Sequence, residues 1–380
     1  MSVNFAYKSG YNLRVLASHE VDDSLTAAWS ALEARALEAN AFLSPYFVLP
    51  AIRYLEADKH PLFLFVEKEI DGSKDLVGVA IFNVCKPTRK FPLSHLSLFN
   101  TIHSYLSGFL VDREYAHDVL ENIYRFIMDP KHGWHGLRVR NLAADGGLSP
   151  LRTEVESVLG INWLPSNTWQ RPVCCPQGAF AAEQTISKKL LKDVHRRQRG
   201  LSALGAVEWQ VHFGAGLQER HLDDLLQLEN QGWKKDEGTS LLSDHNHTRF
   251  FREMAHGFNR EKRFFITELR LNDLVLSSAS NLISGNSGFG FKLGWDLNYA
   301  RYSPSILNLM NYLENSSSLP DQIDFLDSSA APNSYMEEIW QGRRSLSDGM
   351  FAFTSAGKLV LSAGQVVKKV KGVLGRSKES

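Results

Sequence analysis

Cysteine is scarce here: the chain has 380 residues and only Cys85, Cys174 and Cys175. Two of the three are neighbours, a pairing that rarely bridges. No Cys or His spacing matches a zinc-ligand pattern, so all three read as reduced thiols and no metal is expected. Net charge is lacking too. The 42 basic and 42 acidic side chains cancel, which argues against a protein devoted to wrapping duplex nucleic acid and leaves room only for a local basic patch. Long apolar runs are missing: Ala80–Cys85 is a strand-like run and nothing nears the length of a membrane span. The first ten residues, with Asn4, Lys8 and Ser9, have no continuous apolar core and do not read as a secretory leader. The expected location is cytoplasmic. There is no Gly-x-Ser-x-Gly elbow, and Gly288–Gly290 reads as a hairpin turn rather than a dinucleotide fingerprint. His245 and His247 flank Asn246 without a third ligand and read as a polar loop.

What is present is globular. With 43% hydrophobic and 22% charged residues, the chain can fill two cores. Tyr11–Val15 alternates like a strand. Asp22–Asn40 has Leu25, Trp29, Leu32 and Ala36 at helical spacing. Ser44-Pro45 reads as one helix start, and Pro50 as the opening of a second short helix ending at Leu55. Pro61–Glu67 turns through Asp71-Gly72 into Leu76–Val84, a hairpin pattern. Leu96–Phe99 and Tyr105–Val111 add strands, Glu114–Met128 a helix with Val119, Ile123 and Ile127 on one face, Leu137–Leu142 a strand, and Leu151–Leu159 a helix.

The second half runs in a matching order. Helices are predicted at Ser187–Leu204 and Leu217–Gln231. Strands follow at Phe264–Leu271, Val275–Ile283 and Gly290–Asp296, then a helix at Ser305–Leu313, a strand at Ile323–Leu326 and a helix around Ser334–Trp340. Asn167–Glu183, with Pro172, Pro176 and the paired cysteines, has little periodicity and reads as a linker. The expected division is therefore an N-terminal domain at residues 1–166, a linker at 167–183, a C-terminal domain at 184–355 and a basic tail at 356–380. The fold class is α/β (α+β), each domain a mixed, mostly antiparallel sheet flanked by helices.

The most informative stretch runs from Phe291 to Ser305. A strand leads into a loop of small and polar residues that opens a helix. Backbone N–H groups at such a junction point to one spot, and the helix dipole favours negative charge there. Arg301 adds a cation suited to phosphate oxygens. An ordinary capped helix, with Ser303 as N-cap and Pro304 at the first position, accounts for the same residues.

Together with this stretch, several others resemble the CelD/BcsL-like acetyltransferases of the GNAT superfamily. They are Ser187-Lys188-Lys189 leading to Leu204-Gly205, Leu228-Glu229-Asn230-Gln231-Gly232-Trp233-Lys234 with Gly238-Thr239, Asp327-Ser328-Ser329-Ala330, Ile339-Trp340 and Arg343-Arg344. Phe42-Leu43-Ser44-Pro45 carries it in the first half. The resemblance implies tandem GNAT-like domains, similar to FemAB-type transferases. An acyl-CoA would then lie against a splayed strand pair, with its pyrophosphate at a helix N-terminus. Lys292, Arg301, Ser303 and Ser305 would hold that donor, acetyl-CoA or another acyl-CoA. The sequence departs from the glycine-rich phosphate loop of many GNAT enzymes, and Ser305 stands where glycine often follows the proline.

Acyl transfer needs a positioned nucleophile, a destination for its proton and support for the oxyanion. Glu229 and Asp327 are the candidate bases; a helix-face carboxylate and a strand-end cap are the plain alternatives. Tyr302 or Tyr335 would protonate the leaving thiolate. Trp233 and Lys234 would edge the acceptor pocket, although Trp233 after a leucine-rich helix also fits a core. The acceptor class implied is a small molecule or a polysaccharide or envelope precursor, at an amine or a hydroxyl.

The helix at 187–204 places Lys188, Lys192, Arg196 and Arg199 on one face and Leu190, Val194, Leu201 and Leu204 on the other. That face is a solvated surface, or a dock for the CoA phosphate, an acyl-carrier protein or the tRNA of a FemAB-like aminoacyl transferase. A non-catalytic scaffold on the same fold is the third reading. The tail interleaves valines with Lys358, Lys368, Lys369 and Lys371, the pattern of a basic amphipathic helix that packs on the protein or makes weak membrane contact.

Overall fold

The computed structural model describes residues 3–5, 10–89, 91–176, 186–321 and 323–364, the side chains of Val3–Phe5 and Trp233 excepted. Contacts divide the chain into two compact units. The first is Met1–Glu38, Asp58–Thr168 and Leu346–Ser380, and the second Ala39–Ala57 and Trp169–Ser345. This differs from the single cut expected from the sequence. An early segment joins the later unit and a late segment the earlier one.

In the first unit the strands are β1 (Val3–Phe5), β2 (Tyr11–Leu16), β3 (Leu62–Ile70), β4 (Ser73–Cys85), β5 (His95–Leu98), β6 (Leu110–Val111) and β7 (Gly136–Ala143). β2, β3, β4, β5 and β7 lie side by side in that order, with β1 outside β2 and β6 pairing β4. The β5–β7 pair is parallel and the pairs from β1 to β5 are antiparallel. Residues from Leu346 onward of β14 (Gly342–Ala352) add an antiparallel strand to β7. Asp71 and Gly72, at φ 50° and 80°, make the tight turn between β3 and β4, a conformation glycine and short polar residues adopt at low cost.

Asp22 caps α1 (Asp23–Arg35) by accepting the Leu25 N–H. The helix stops short of the Asn40 expected from its periodicity. Ala36 bridges to Asp112 and the Leu37 N–H bonds to the Val111 carbonyl, so strand pairing takes the backbone groups another turn would need. α3 (Ala116–Met128) buries Val119, Ile123 and Ile127 as its spacing predicts, beside α4 (Leu148–Val158). Of the strand expected at Tyr105–Val111, only Leu110–Val111 forms.

The second unit takes in α2 (Pro45–Leu55), which is one helix with Pro50 inside it. Pro50 forfeits one backbone bond, but Phe47, Val48, Ala51 and Ile52 on either side are buried, and that packing outweighs the loss. α2 lies on α7 (His245–Arg260), with Phe47 and Phe250 edge to face at 5.4 Å. His245 and His247 therefore stand on a helix capped by Asp244 rather than in a polar loop. Their polar first turn hides an apolar face that begins only at Phe250.

The rest of this unit comprises α5 (Lys188–Ser202), β9 (Val207–Phe213), α6 (Glu219–Glu229), β10 (Phe264–Leu271), β11 (Leu274–Ser284), β12 (Ser287–Trp295), α8 (Pro304–Glu314) and β13 (Phe325–Asp327). Its strands run β13, β12, β11, β10, β9, with only β12 and β13 parallel, and the end of β8 (Asn162–Cys174) borders β13. Residues 167–174 of the expected linker are thus strand. Cys174 and Val173 pair with Leu326 and Asp327 despite the prolines nearby. Residues 177–183 of it lie outside the described residues. The helix expected around Ser334–Trp340 is a short 3-10 turn, Tyr335–Glu338.

Both units are mixed, mostly antiparallel sheets flanked by helices, as expected. No helix among the described residues is long and apolar enough to cross a membrane. In the basic tail, residues up to 364 are helical; the remainder, including Lys368, Lys369 and Lys371, lies outside the described residues.

Candidate active site

β12 is the frame of the site. It pairs with β13 at three registers, Ser287 with Phe325, Gly288 with Leu326 and Phe289 with Asp327, and then runs on to Trp295 paired with β11 but no longer with β13. A bulge against β11 falls between Gly290 and Lys292 and bends the strand where the parallel pairing stops. The Asp296 N–H bonds to the Leu276 carbonyl of β11. By strand alternation the backbone groups of Leu293 therefore point the other way, off the β11 side. α6 crosses this strand at Gly294, where a Cβ would run into the backbone of Leu228 and Glu229; only glycine admits the helix so close.

That approach sets Glu229, the last residue of α6, beside β12. Its side chain is fully buried. One oxygen accepts from Lys234 Nζ at 3.2 Å and the other from the Leu241 N–H at 2.8 Å. Lys234 Nζ also donates to the Leu293 carbonyl at 3.2 Å. Burial pushes the Lys234 ammonium below its ordinary value; Glu229 opposes the shift, and the charge of Lys292 adds to it. Glu229, Lys234 and Lys292 are thus one electrostatic cluster along the free side of β12. The Trp233 side chain lies outside the described residues.

The second cluster is at the start of α8. A 3-10 stretch, Leu297–Tyr302, joins β12 to this helix, and Ser303 turns the chain in the left-handed region at φ 49°. Ser303 does not cap the helix with its side chain; its hydroxyl instead accepts from Arg197 of α5. Pro304 has no N–H, and the Ile306 and Leu307 amides both bond to the Ser303 carbonyl. Fewer amides are on offer than the sequence reading supposed, so the corner's attraction for anions rests on the helix dipole and guanidinium groups. Arg301 is exposed and stacks over the Tyr302 ring at 4.6 Å. Tyr302 packs against α5 where Gly200 leaves room. Ser305 is buried; Tyr335 nearby is 47% exposed as a residue, yet desolvation raises its hydroxyl's pKa and Ser305 opposes that shift. Arg197, which is not among the four residues that the helical spacing puts on the basic face, is the one that reaches the corner.

The third candidate group stands elsewhere. Asp327 is wholly buried, with Arg171 Nη2 at 2.5 Å and Arg344 Nη1 at 3.0 Å on one oxygen and the Ser329 N–H at 2.9 Å on the other. Burial alone would raise its pKa; the two guanidinium groups outweigh it and hold the carboxyl below its ordinary value. A carboxylate so engaged joins β8, β13 and the start of β14.

Along α5, a cavity of about 860 Å³ is lined by Lys189, Lys192, Arg196 and Arg199, faced by Glu337 and Glu338. A cluster no motif announced is His212, His221 and Glu268, whose ligand-type atoms lie within 4.8 Å of one another. The imidazoles stack at 3.6 Å, Gln218 N–H donates to His221, and Arg270 pairs with Glu268 at 2.8 Å. A resident guanidinium repels a dication, so the group reads as a structural charge cluster.

Residues 188–330 match the family model described as an acetyltransferase (GNAT) domain. Among solved structures the chain is similar to FemX, at 10% identity and TM-score 0.57 over 89% of this chain and 98% of that one. It is similar to a conserved protein of unknown function from Bacteroides thetaiotaomicron, at 11% identity and TM-score 0.54 over 87% and 97%. L-PGS from Bacillus licheniformis follows at 10% identity and TM-score 0.52 over 92% and 98%. At such identities the likeness is one of fold. No curated protein matches the chain. The run of β12 beyond β13 and the start of α8 both lie within the stretch that matches this model, in a chain that shares its fold with FemX and L-PGS.

Proposed function

We propose that the protein transfers an acyl group, acetyl in the simplest case, from acyl-CoA to an amine or hydroxyl of a small-molecule or polysaccharide-precursor acceptor. One observation carries this reading. β12 leaves β13 after Phe289 and leads directly to a helix N-terminus attended by Arg197 and Arg301. The donor's pantetheine would lie along the free side of β12, and its diphosphate would meet the two guanidinium groups. A β12 amide past Phe289 would face the oxyanion. Glu229 holds Lys234 beside that strand, and Lys234, its charged form disfavoured by burial, would receive the acceptor's proton. Tyr302 or Tyr335, both at the corner, would return a proton to the thiolate. Asp327, doubly paired, is assigned to holding strands.

The CelD/BcsL-like resemblance supports an envelope or polysaccharide acceptor, and a cytoplasmic setting fits a CoA donor. A second reading keeps the fold and changes the donor to an aminoacyl-tRNA. The basic cavity along α5 favours it, as does the likeness to FemX. The same cavity would also suit an acyl-carrier protein.

Thermal shift with acetyl-CoA, longer acyl-CoAs and free CoA tests the donor. A ligand at a hundredfold over its dissociation constant stabilises by about 2.7 kcal/mol. The effect should shrink in Arg301→Ala. Equal indifference of wild type and variant to every CoA species would end the acyl-CoA reading, and steeply salt-dependent tRNA binding would then favour the second.

A further inference from the structure

The first unit holds a nucleophile that the transfer site above does not use. Cys85 ends β4 and faces His95 directly across the β4–β5 pair, as Asn83 faces Ser97. Ser97 in turn is in register with Arg138 on β7. With side chains alternating along each strand, Cys85, His95, Ser97, Arg138 and Arg140 share one face of this sheet. Cys85 Sγ lies 3.5 Å from the Ser97 hydroxyl and 3.9 Å from Arg138 Nη2.

His95 is built to receive a proton. It is 1% exposed, its ring set edge to face on Phe91 at 5.2 Å. Its Nδ1 is 2.9 Å from the Leu93 carbonyl, a partner that can only accept. The neutral ring therefore carries its proton on Nδ1 and leaves Nε2 as the acceptor. His95, opposite Cys85 across the strand pair, is the largest influence on the thiol and lowers its pKa. Partial burial opposes it, Ser97 and Arg138 assist, and the result is a value brought down to about 7.

This face opens on a cavity of about 720 Å³ in the same unit. Cys85 and Ser97 line it with Lys59, Lys86, Arg138 and Arg140, against the carboxylate of Asp58. Cationic walls around a thiolate select an anionic electrophile. Cys174 and Cys175 belong to the second unit, so a disulfide cycle within this unit has no resolving thiol.

We propose that Cys85 is a second acyl-accepting site, taking the acyl group of a thioester on a phosphorylated carrier to form an enzyme-bound thioester. The inference rests on the reading that the protein meets acyl-CoA. The Cys85 proton passes to His95 Nε2 and Sγ attacks the thioester carbonyl. The carbon–sulfur bond to the carrier breaks, and the carrier thiolate leaves as a thiol with the proton from His95. One thioester replaces another, and no oxidant or reductant takes part.

The test incubates the full chain with acetyl-CoA or with acetyl-pantetheine, which lacks the phosphates, and follows intact mass. The expected result is one acetyl group per chain, removed by neutral hydroxylamine and absent from Cys85→Ser. Acetyl-CoA should react faster by about tenfold or more, and R138A/R140A should lose that preference. His95→Gln should slow acylation without altering the circular dichroism spectrum. Iodoacetate labelling of Cys85 serves as the control for an accessible thiolate. Labelling by iodoacetate without any hydroxylamine-sensitive acetyl group overturns the proposal, as do equal rates from the two thioesters. The donor reading is judged separately, by the acetyl-CoA thermal shift in Cys85→Ser and its loss in Arg301→Ala. A persisting shift with no acylation sinks only the Cys85 site; loss of both sinks the two together.

Discussion

Replacing Asp327 by Asn separates a structural carboxylate from a catalytic one. The amide keeps the shape and an oxygen for the Ser329 N–H, but it removes the charge between Arg171 and Arg344. Those side chains are only 2% and 8% exposed, so water cannot take over as partner. Breaking such a buried group costs about 3–5 kcal/mol, a large share of the roughly 5–15 kcal/mol that holds a domain folded. With a urea slope of about 1–3 kcal/mol per molar, the midpoint should fall by about 1 M or more. Asp223→Asn is the control: its pair with Arg252 is half in solvent and is worth under about 1 kcal/mol. The pH dependence carries a definite sign. The folded carboxyl lies below its ordinary value of 3.8, so its contribution is present above that pH and is lost as the pH falls through the folded value. The gap between wild type and variant should therefore close in acid. Amide exchange at β13 and urea melts from pH 3 to 7 would measure it. A stable variant that has lost transfer activity would refute the assignment and return Asp327 to the chemistry.

Arg301→Ala and Arg197→Ala should each weaken acetyl-CoA binding by about tenfold to a hundredfold, the worth of one charge-assisted hydrogen bond. Direct titration measures it, and unchanged affinity in both would remove the phosphate corner. Gly294→Ala should destabilise the second unit by about 1–3 kcal/mol through overpacking of α6 on β12, read as a lowered melting temperature. Glu229→Gln removes the charge that supports the Lys234 ammonium, so the acidic, rising limb of the pH–rate profile set by Lys234 should move to lower pH. A pH–rate profile that does not move would exclude Lys234 as the proton acceptor.

The parts of the fold that read well from the sequence had strong local patterns. β10 falls at Phe264–Leu271 as expected, and α3 shows the apolar face its spacing foretold. The misses have physical causes. β8, β9 and β14 were overlooked because their burial is mixed: β9 is half-buried along nearly its whole length, which blurs alternation, and β8 begins exposed and carries two prolines. α7 opens with His-Asn-His-Thr, which reads as loop until Phe250. In the site, Glu229 and Lys234 were legible as neighbours five residues apart, and Arg301 through its place before Ser303-Pro304. The engagement of Asp327 was not, because Arg171 and Arg344 come from distant strands. The reach of Arg197 was likewise hidden, since helical spacing gives a face but not its destination.

The threading of the chain has a consequence for synthesis. The sheet of the first unit gains its β7 neighbour only when residues 346–352 exist, although most of that unit is made within the first 168 residues. Meanwhile α2, made early, finds its partner α7 some two hundred positions later. The second unit is complete only at Ser345 and the first only after it, so nascent chains carry exposed apolar surface from the first 168 residues until about residue 352 is made. A truncation at residue 340 should leave both units incomplete, not one intact and one missing.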